Sequence, residues 1–211
     1  MPHFKTEDLN NLDKISRLNL VNCCTGYKSA NLIGSISKDG IPNLAIFSSV
    51  THLGSNPAML GFIVRPTTVP RHTFSNIKET EYFTVNAVTE DIINAAHQTS
   101  AAYSETTSEF EATGIAPEYK IEIDVPFVKN APVQLLCKYI NEYPIKENNT
   151  IHVIAKIEEI FIADTILEKD GWVNLDLAGV MAINGLDGYA KPILKDRFEY
   201  ARPDEVLKSK L

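Results

Sequence analysis

The chain has 211 residues with 27 acidic and 20 basic side chains, which gives a formal net charge of −7. This acidity, with a pI near 5.3, disfavours nucleic acid or an anionic membrane as the main partner, because both attract basic surfaces. No apolar run approaches the ~20 residues that span a bilayer, and residues 1–11 lack a signal-type apolar segment. We therefore expect one cytoplasmic domain that binds neither nucleic acid nor membrane.

The first half of the chain is predicted to consist mainly of strands. Short apolar or alternating runs end at turn residues, as buried strands do. The segment KDG at 38–40 predicts a hairpin between two of these strands. The predicted strands are ISRLNLVNCCTGY (15–27), ANLIGSIS (30–37), IPNLAIFSSV (41–50), AMLGFIV (58–64) and YFTVNAV (82–88).

The second half predicts one long antiparallel pair, formed by residues 131–145 and 150–162 around the turn KENN. Helices are predicted at 69–80, starting with Pro70, at 89–101, and at 107–114, which ends at a glycine. Many strands, few helices and no regular alternation of strand and helix indicate a mainly β fold with helical decoration. We expect a closed or partly closed antiparallel barrel.

The cysteines and histidines do not indicate a metal site. Cys23 and Cys24 are adjacent, Cys137 is distant, and the five histidines form no HxxH or HxxxH pair. An adjacent cysteine pair can form a strained vicinal disulfide. Two reduced residues on opposite faces of a strand fit a cytoplasmic protein better.

The sequence also lacks GxSxG, Walker A, GxGxxG and HExxH motifs. A protein without its own nucleophile or metal can still be an enzyme when a cofactor carries the reaction. Binding residues are therefore the informative ones.

Two polar clusters follow neighbouring strands. In RPTTVPRHT (65–73), Arg65 ends a strand and Thr73 lies early in a predicted helix, where free N–H groups favour an anion. Arg71 could contribute to the same site. Ser48, Ser49 and Thr51 place three hydroxyls in four residues. Each cluster alone could be a solvated loop or a turn that satisfies its own backbone, but together they favour a ligand with a phosphate and several hydroxyls.

Two further groups are candidates for the rest of such a site. Asn86 lies at the end of a strand, and His97 and Gln98 lie at the far end of the next helix. The loop NGLDGYAKP (184–192) contains Tyr189, which could cover a planar ring or could belong to a simple turn.

The order of these segments resembles the flavin reductase-like family of FMN-binding split barrels, and most closely its flavoredoxin-like subgroup. The resemblance rests on FSSVTHLGSNPAMLGF, RPTTVPRHTFSNI, EYFTVNAV, AAHQTSA, SEFEATG and GLDGYAKP, in that order. It implies a split-barrel domain over residues 15–200, an N-terminal tail at 1–14 and a C-terminal tail at 201–211. It also implies a homodimer with FMN in a groove at the interface.

The resemblance further implies roles for individual residues. Ser48, Ser49, Val50 and Thr51 would face the flavin ring and ribityl chain, mostly through backbone groups. Arg65 and Thr73 would hold the phosphate, with Arg71 as a weaker candidate. Asn86, His97 and Gln98 would complete the pocket, and Phe110 and Tyr189 would approach the ring.

Three functions remain open from the sequence. The first is an oxidoreductase that passes a hydride from NADH or NADPH to FMN, and electrons onward to free flavin, a small acceptor or a redox partner protein. The second is an FMN electron carrier without direct NAD(P)H turnover. The third is a split-barrel module that binds a different ligand or serves as a scaffold.

Overall fold

The computed structural model describes all residues, 1–211. It contains twelve strands and five α-helices, so the expectation of a mainly β fold with helical decoration is confirmed. The strands are β1 Lys28–Ser29, β2 Asn31–Ile36, β3 Pro42–Phe47, β4 Thr51–Ser55, β5 Ala58–Val64, β6 Tyr82–Ala87, β7 Pro117–Glu118, β8 Phe127–Val128, β9 Val133–Ile145, β10 Thr150–Ile162, β11 Ala182–Asn184 and β12 Gly188–Ala190. The helices are α1 Thr6–Asn11, α2 Lys14–Cys24, α3 His72–Thr80, α4 Ile93–Gln98 and α5 Glu109–Thr113.

Seven of these strands form one antiparallel sheet in the order β3-β2-β6-β9-β10-β5-β4. Laid flat, such a sheet would separate its two edge strands by about 29 Å, given the usual strand spacing. The chain passes from edge strand β3 to edge strand β4 through residues 48–50 alone, and that path reaches at most about 14 Å. The sheet therefore has to curl into a barrel that brings its edges together.

The barrel has two main cores. The first lies inside the curled sheet and includes Phe62, Phe83 and Val153, with Ile77 from α3 packed against them. The second lies outside the sheet, where α4, α5 and β11 cover it, and includes Leu44, Phe110 and Ile183. Residues on β3 therefore connect the barrel to the helices that decorate it.

Most strand predictions are confirmed. The hairpin at 38–40 joins β2 to β3, and Gly40 adopts the positive φ of 81° that this turn requires. The apolar run at 58–64 is β5, and the long pair is β9 with β10. These segments were predictable because burial of one or both faces imposes its own sequence pattern.

The prediction of a strand at 15–27 is wrong, because the segment forms helix α2. Asp13 caps this helix by accepting hydrogen bonds from the backbone N–H groups of Ile15 (2.9 Å) and Ser16 (3.0 Å). As a result Cys23 and Cys24 both lie exposed on its last turn, instead of on opposite faces of a strand, and Cys137 is buried in β9; all three thiols are free.

Two helices differ in detail from the predictions. Helix α3 begins at His72 with Arg71 as its N-cap residue, so Pro70 precedes the helix instead of starting it. The predicted helix at 89–101 is a 3₁₀ turn at Glu90–Ile92 followed by α4. None of the helices is long and apolar enough to cross a membrane.

Candidate functional site

The N-terminal end of α3 carries two arginines without carboxylate partners. Arg65 directly follows β5 and is exposed, and Arg71 is half-buried, where its Nε donates to the carbonyl of Pro66 at 3.2 Å. Neither guanidinium takes part in a salt bridge. Burial lowers the pKa of Arg71, and the positive charge of Arg65 lowers it further. An acidic protein thus leaves two neighbouring cations unpaired at a helix N-terminus, which suits an anionic ligand.

Thr73 is fixed at this helix end by a residue of β3. Its side chain is buried, with 6% exposure, and its Oγ1 accepts a hydrogen bond from Asn43 Nδ2 at 2.9 Å. Because the oxygen is engaged as an acceptor, the hydroxyl hydrogen is left to donate to another oxygen. Asn43 was not predicted from the sequence, although a polar residue in an otherwise apolar strand was a signal for it.

The crossing from β3 to β4 lies beside the end of β5. Ser49 Oγ accepts a hydrogen bond from the N–H of Ile63 at 3.0 Å and lies 3.4 Å from its carbonyl oxygen, so this hydroxyl is engaged by the backbone. Ile63 is two residues before Arg65. The structure therefore brings together the two polar clusters that the sequence places 14 or more residues apart.

Some polar groups of this crossing already form hydrogen bonds within the chain, and others do not. The carbonyl of Val50 accepts a hydrogen bond from Ser29 Oγ at 3.3 Å. The side chains of Ser48 and Thr51 form no hydrogen bond within the chain, and Thr51 is exposed. Ser48 and Thr51 are thus the hydroxyls that can bind a polar ligand here.

Two sequence-predicted site residues are corrected by the structure. Asn86 is fully buried. Its side-chain amide forms hydrogen bonds with Leu32, Thr84 and Val128, and these bonds connect β6 to β2 and β8. Phe110 is 2% exposed and packs in the core outside the sheet. Neither side chain has surface to offer a ligand, because tertiary packing uses it completely.

A second group of candidates lies on α4 and β12. His97 Nδ1 and the Tyr189 hydroxyl are 3.2 Å apart, and the two rings meet edge to face with centroids 5.7 Å apart. Burial raises the pKa of Tyr189. Gln98 Nε2 donates to the Tyr103 hydroxyl at 3.2 Å. No hydrogen bond or salt bridge links this group to Arg65 or Thr73.

The predicted binding residues differ in exposure: Thr51 and Arg65 are exposed, whereas Thr73 is buried. Two cavities, of about 320 Å³ and 480 Å³, lie elsewhere: one beside the β2–β3 hairpin and the other around Glu90, Asp176 and Lys191. Neither is lined by a sequence-predicted site residue. Because Thr51 is exposed, a planar cofactor bound beside it would need additional cover to be buried.

Comparisons with known proteins show the family of the chain. A family model, the flavin reductase like domain, matches residues 28–176. A relative of uncharacterized function from Aquifex aeolicus (strain VF5) is 31% identical over 146 residues, which cover 68% of this chain and 74% of that protein.

Two solved structures have the same fold. A protein from Shewanella frigidimarina NCIMB 400, assigned as a flavin reductase with a split barrel domain, is 41% identical with a TM-score of 0.92, covering 95% of this chain and all of that one. The flavoredoxin of Desulfovibrio vulgaris (Miyazaki F) is 18% identical with a TM-score of 0.69, covering 84% of this chain and 91% of that one.

Proposed function

The chain belongs to the flavin reductase-like family, and from that premise we propose that it is an FMN-binding oxidoreductase that uses NADH or NADPH. The observation that carries the proposal is the helix end of α3, where Arg65 and Arg71 lack carboxylate partners and Thr73 is oriented by Asn43. This donor set fits a terminal phosphate. When bound, FMN supplies the redox chemistry between a nicotinamide donor and an onward acceptor, such as free flavin or a partner protein.

The chain's own residues would bind, orient and shield the cofactor. Arg65, Arg71 and Thr73 would hold the phosphate, and Ser48 and Thr51 would bind the polar edge and ribityl chain. His97, Gln98 and Tyr189 form a polar and aromatic group that could cover a ring. None of the hydroxyls of Thr73, Ser48 and Thr51 is hydrogen-bonded to a basic side chain that would make it a nucleophile, which suits a protein that positions a cofactor.

The test is an anaerobic visible spectrum of the FMN-loaded protein, recorded before and after adding NADH and then NADPH. Rapid loss of the flavin absorbance with either nucleotide is the expected result and would identify the donor. A yellow protein that stays yellow would instead support an electron carrier of flavoredoxin type, an alternative favoured by the shared fold and by a net charge suited to docking a basic partner. A protein that does not bind added FMN would overturn both the oxidoreductase and the electron-carrier proposals.

We also propose that a second copy of the chain supplies the missing cover. Residues opposite one another in β4, β5 and β10 share the outer face of the barrel. The apolar side chains Leu53, Met59, Ile63 and Ile154 lie on this face together with Thr51, His152 and Lys156. The inner face of the same strands already packs in the barrel core. An antiparallel sheet with one buried face normally presents polar residues on the other, so four apolar side chains on this outer face favour an interface.

The homodimer predicts a solution mass twice the chain mass of 23.5 kDa, measurable by light scattering after size exclusion. Ile154→Lys should yield monomers and weaken FMN binding, because it places a charge among the apolar side chains Leu53, Met59 and Ile63. Val206→Lys, at an exposed position in the C-terminal tail, is the matched control and should remain dimeric. A monodisperse wild-type monomer would contradict the proposal.

The proposed location is the cytoplasm. Three free thiols, two of them exposed, suit a reducing compartment.

A further inference from the structure

One strand pairing at the crossing from β3 to β4 is completed by a side chain. The β4–β5 ladder pairs Thr51 with Gly61, so the next pair of the same kind would be Ser49 with Ile63. In an antiparallel ladder, two such residues exchange both backbone hydrogen bonds. Here both bonds of Ile63 go to the Ser49 hydroxyl: the Ile63 N–H donates to Oγ at 3.0 Å, and Oγ donates to the Ile63 carbonyl at 3.4 Å. The serine side chain thus takes the place of a strand backbone.

This replacement leaves the backbone of the crossing without partners. Residues 48–50 are half-buried, and none of their N–H groups forms a hydrogen bond within the chain. On the side of β1, the carbonyl of Val50 accepts a hydrogen bond from the Ser29 hydroxyl at 3.3 Å. Two serine hydroxyls therefore hold the crossing in place, while three successive N–H donors remain free.

Free donors in a half-buried segment indicate a binding surface. An unpaired N–H group away from water costs free energy comparable to a lost hydrogen bond. A segment that only connected two strands could avoid this cost by extending β4 to Ser49, whose backbone would then pair with Ile63. The chain uses a side chain for that pair instead. A row of N–H donors suits a ligand with acceptor oxygens, such as carbonyl or hydroxyl groups.

We propose that Ser49 is a positioning residue, which holds the crossing at a distance from β5 so that the N–H groups of residues 48–50 can donate to oxygen atoms of a bound flavin. This inference rests on the proposed FMN site. The Ser49 hydroxyl does not itself bind the ligand, because β5 engages it. The donors serve the part of the cofactor that riboflavin shares with FMN, whereas the arginines beside α3 serve the phosphate.

The direct test is amide hydrogen exchange of the full-length protein, resolved by residue with NMR, with and without saturating riboflavin. We expect slower exchange at Ser48, Ser49 and Val50 when riboflavin is bound, because an N–H group that donates to a ligand is protected from exchange. Unchanged exchange at all three residues in the riboflavin-bound protein would overturn the inference. This measurement uses the wild type and does not depend on the folding of a variant.

The matching variant is Ser49→Ala, which removes the side chain that completes the ladder. We expect it to weaken the binding of FMN and of riboflavin by similar factors of about tenfold, because the N–H donors lose their fixed position. Ser49→Thr keeps the hydroxyl and should bind both flavins as the wild type does. Ser37→Ala is the matched control: it removes the same kind of bond, from the Ile41 N–H to a half-buried serine at 3.1 Å, in the β2–β3 hairpin. It should leave both affinities unchanged.

The outcomes separate this inference from the proposed function. Equal flavin affinities in Ser49→Ala and Ser37→Ala would overturn the role of Ser49 and leave the FMN site standing. A Ser49→Thr variant that binds as weakly as Ser49→Ala would also overturn it, because the hydroxyl would then not be the cause. If Ser49→Ala does not fold, the exchange measurement decides. Failure of the wild type to bind either flavin would instead overturn the proposed function.

Discussion

Replacing Arg65 with alanine should weaken FMN binding by about 1.5–3 kcal/mol, the usual contribution of hydrogen bonds to a charged group. Arg65 follows β5 directly and forms no salt bridge, so the substitution leaves no buried carboxylate unpaired. The loss should be confined to the phosphate. Titration of the variant with FMN and with riboflavin measures it, because only FMN carries the phosphate.

Two further variants serve as controls for this prediction. Arg71→Ala should cost less than Arg65→Ala, because Arg71 Nε is already engaged by the carbonyl of Pro66. Arg202→Ala removes an equal charge from the C-terminal tail, where the guanidinium pairs with Glu205, and should leave FMN affinity unchanged. The phosphate assignment fails if Arg65→Ala binds FMN as tightly as Arg202→Ala does.

The fold was largely predictable because strands in a barrel have a buried face that fixes their pattern. Strand β5 and the β9–β10 pair illustrate this, since Phe62 and Val153 alternate with residues on the outer face. Helix α2 was not predictable in the same way. It has no buried residue, so no core imposed a helical period on its sequence, and Asp13 as its cap was the main local signal.

The types of residue in the sequence were enough to predict part of the candidate site. Burial in the fold determined which of the predicted residues a ligand can reach. Arg65 and Thr73 follow from the rule that a helix N-terminus binds anions. Asn86 was placed in the site by its position at a strand end and Phe110 by resemblance alone, whereas the fold uses both in its interior. Asn43 was not predicted because its bond to Thr73 depends on β3 lying beside α3, a relation that no short segment contains.

The second large effect is expected in the barrel core. Phe62 is fully buried on β5 and meets Phe47 and Phe83 edge to face, with ring centroids 5.3 Å and 5.6 Å away. Phe62→Ala removes both contacts and leaves a cavity in a sheet that cannot collapse around it, so the free energy of unfolding should fall by about 3–5 kcal/mol. Urea denaturation followed by circular dichroism measures the change.

The same substitution connects the core to the proposed site, because Phe47 directly precedes Ser48 in the crossing to β4. If packing on Phe62 holds the crossing in place, Phe62→Ala should also weaken FMN binding under conditions where the variant remains folded. Phe62→Leu, which keeps most of the volume, should lose less stability and retain FMN affinity. Tyr200→Ala, at an exposed position, should change neither quantity. Full FMN affinity in folded Phe62→Ala would mean that the hydrogen bonds of Ser49 to Ile63 position the crossing without help from the aromatic core.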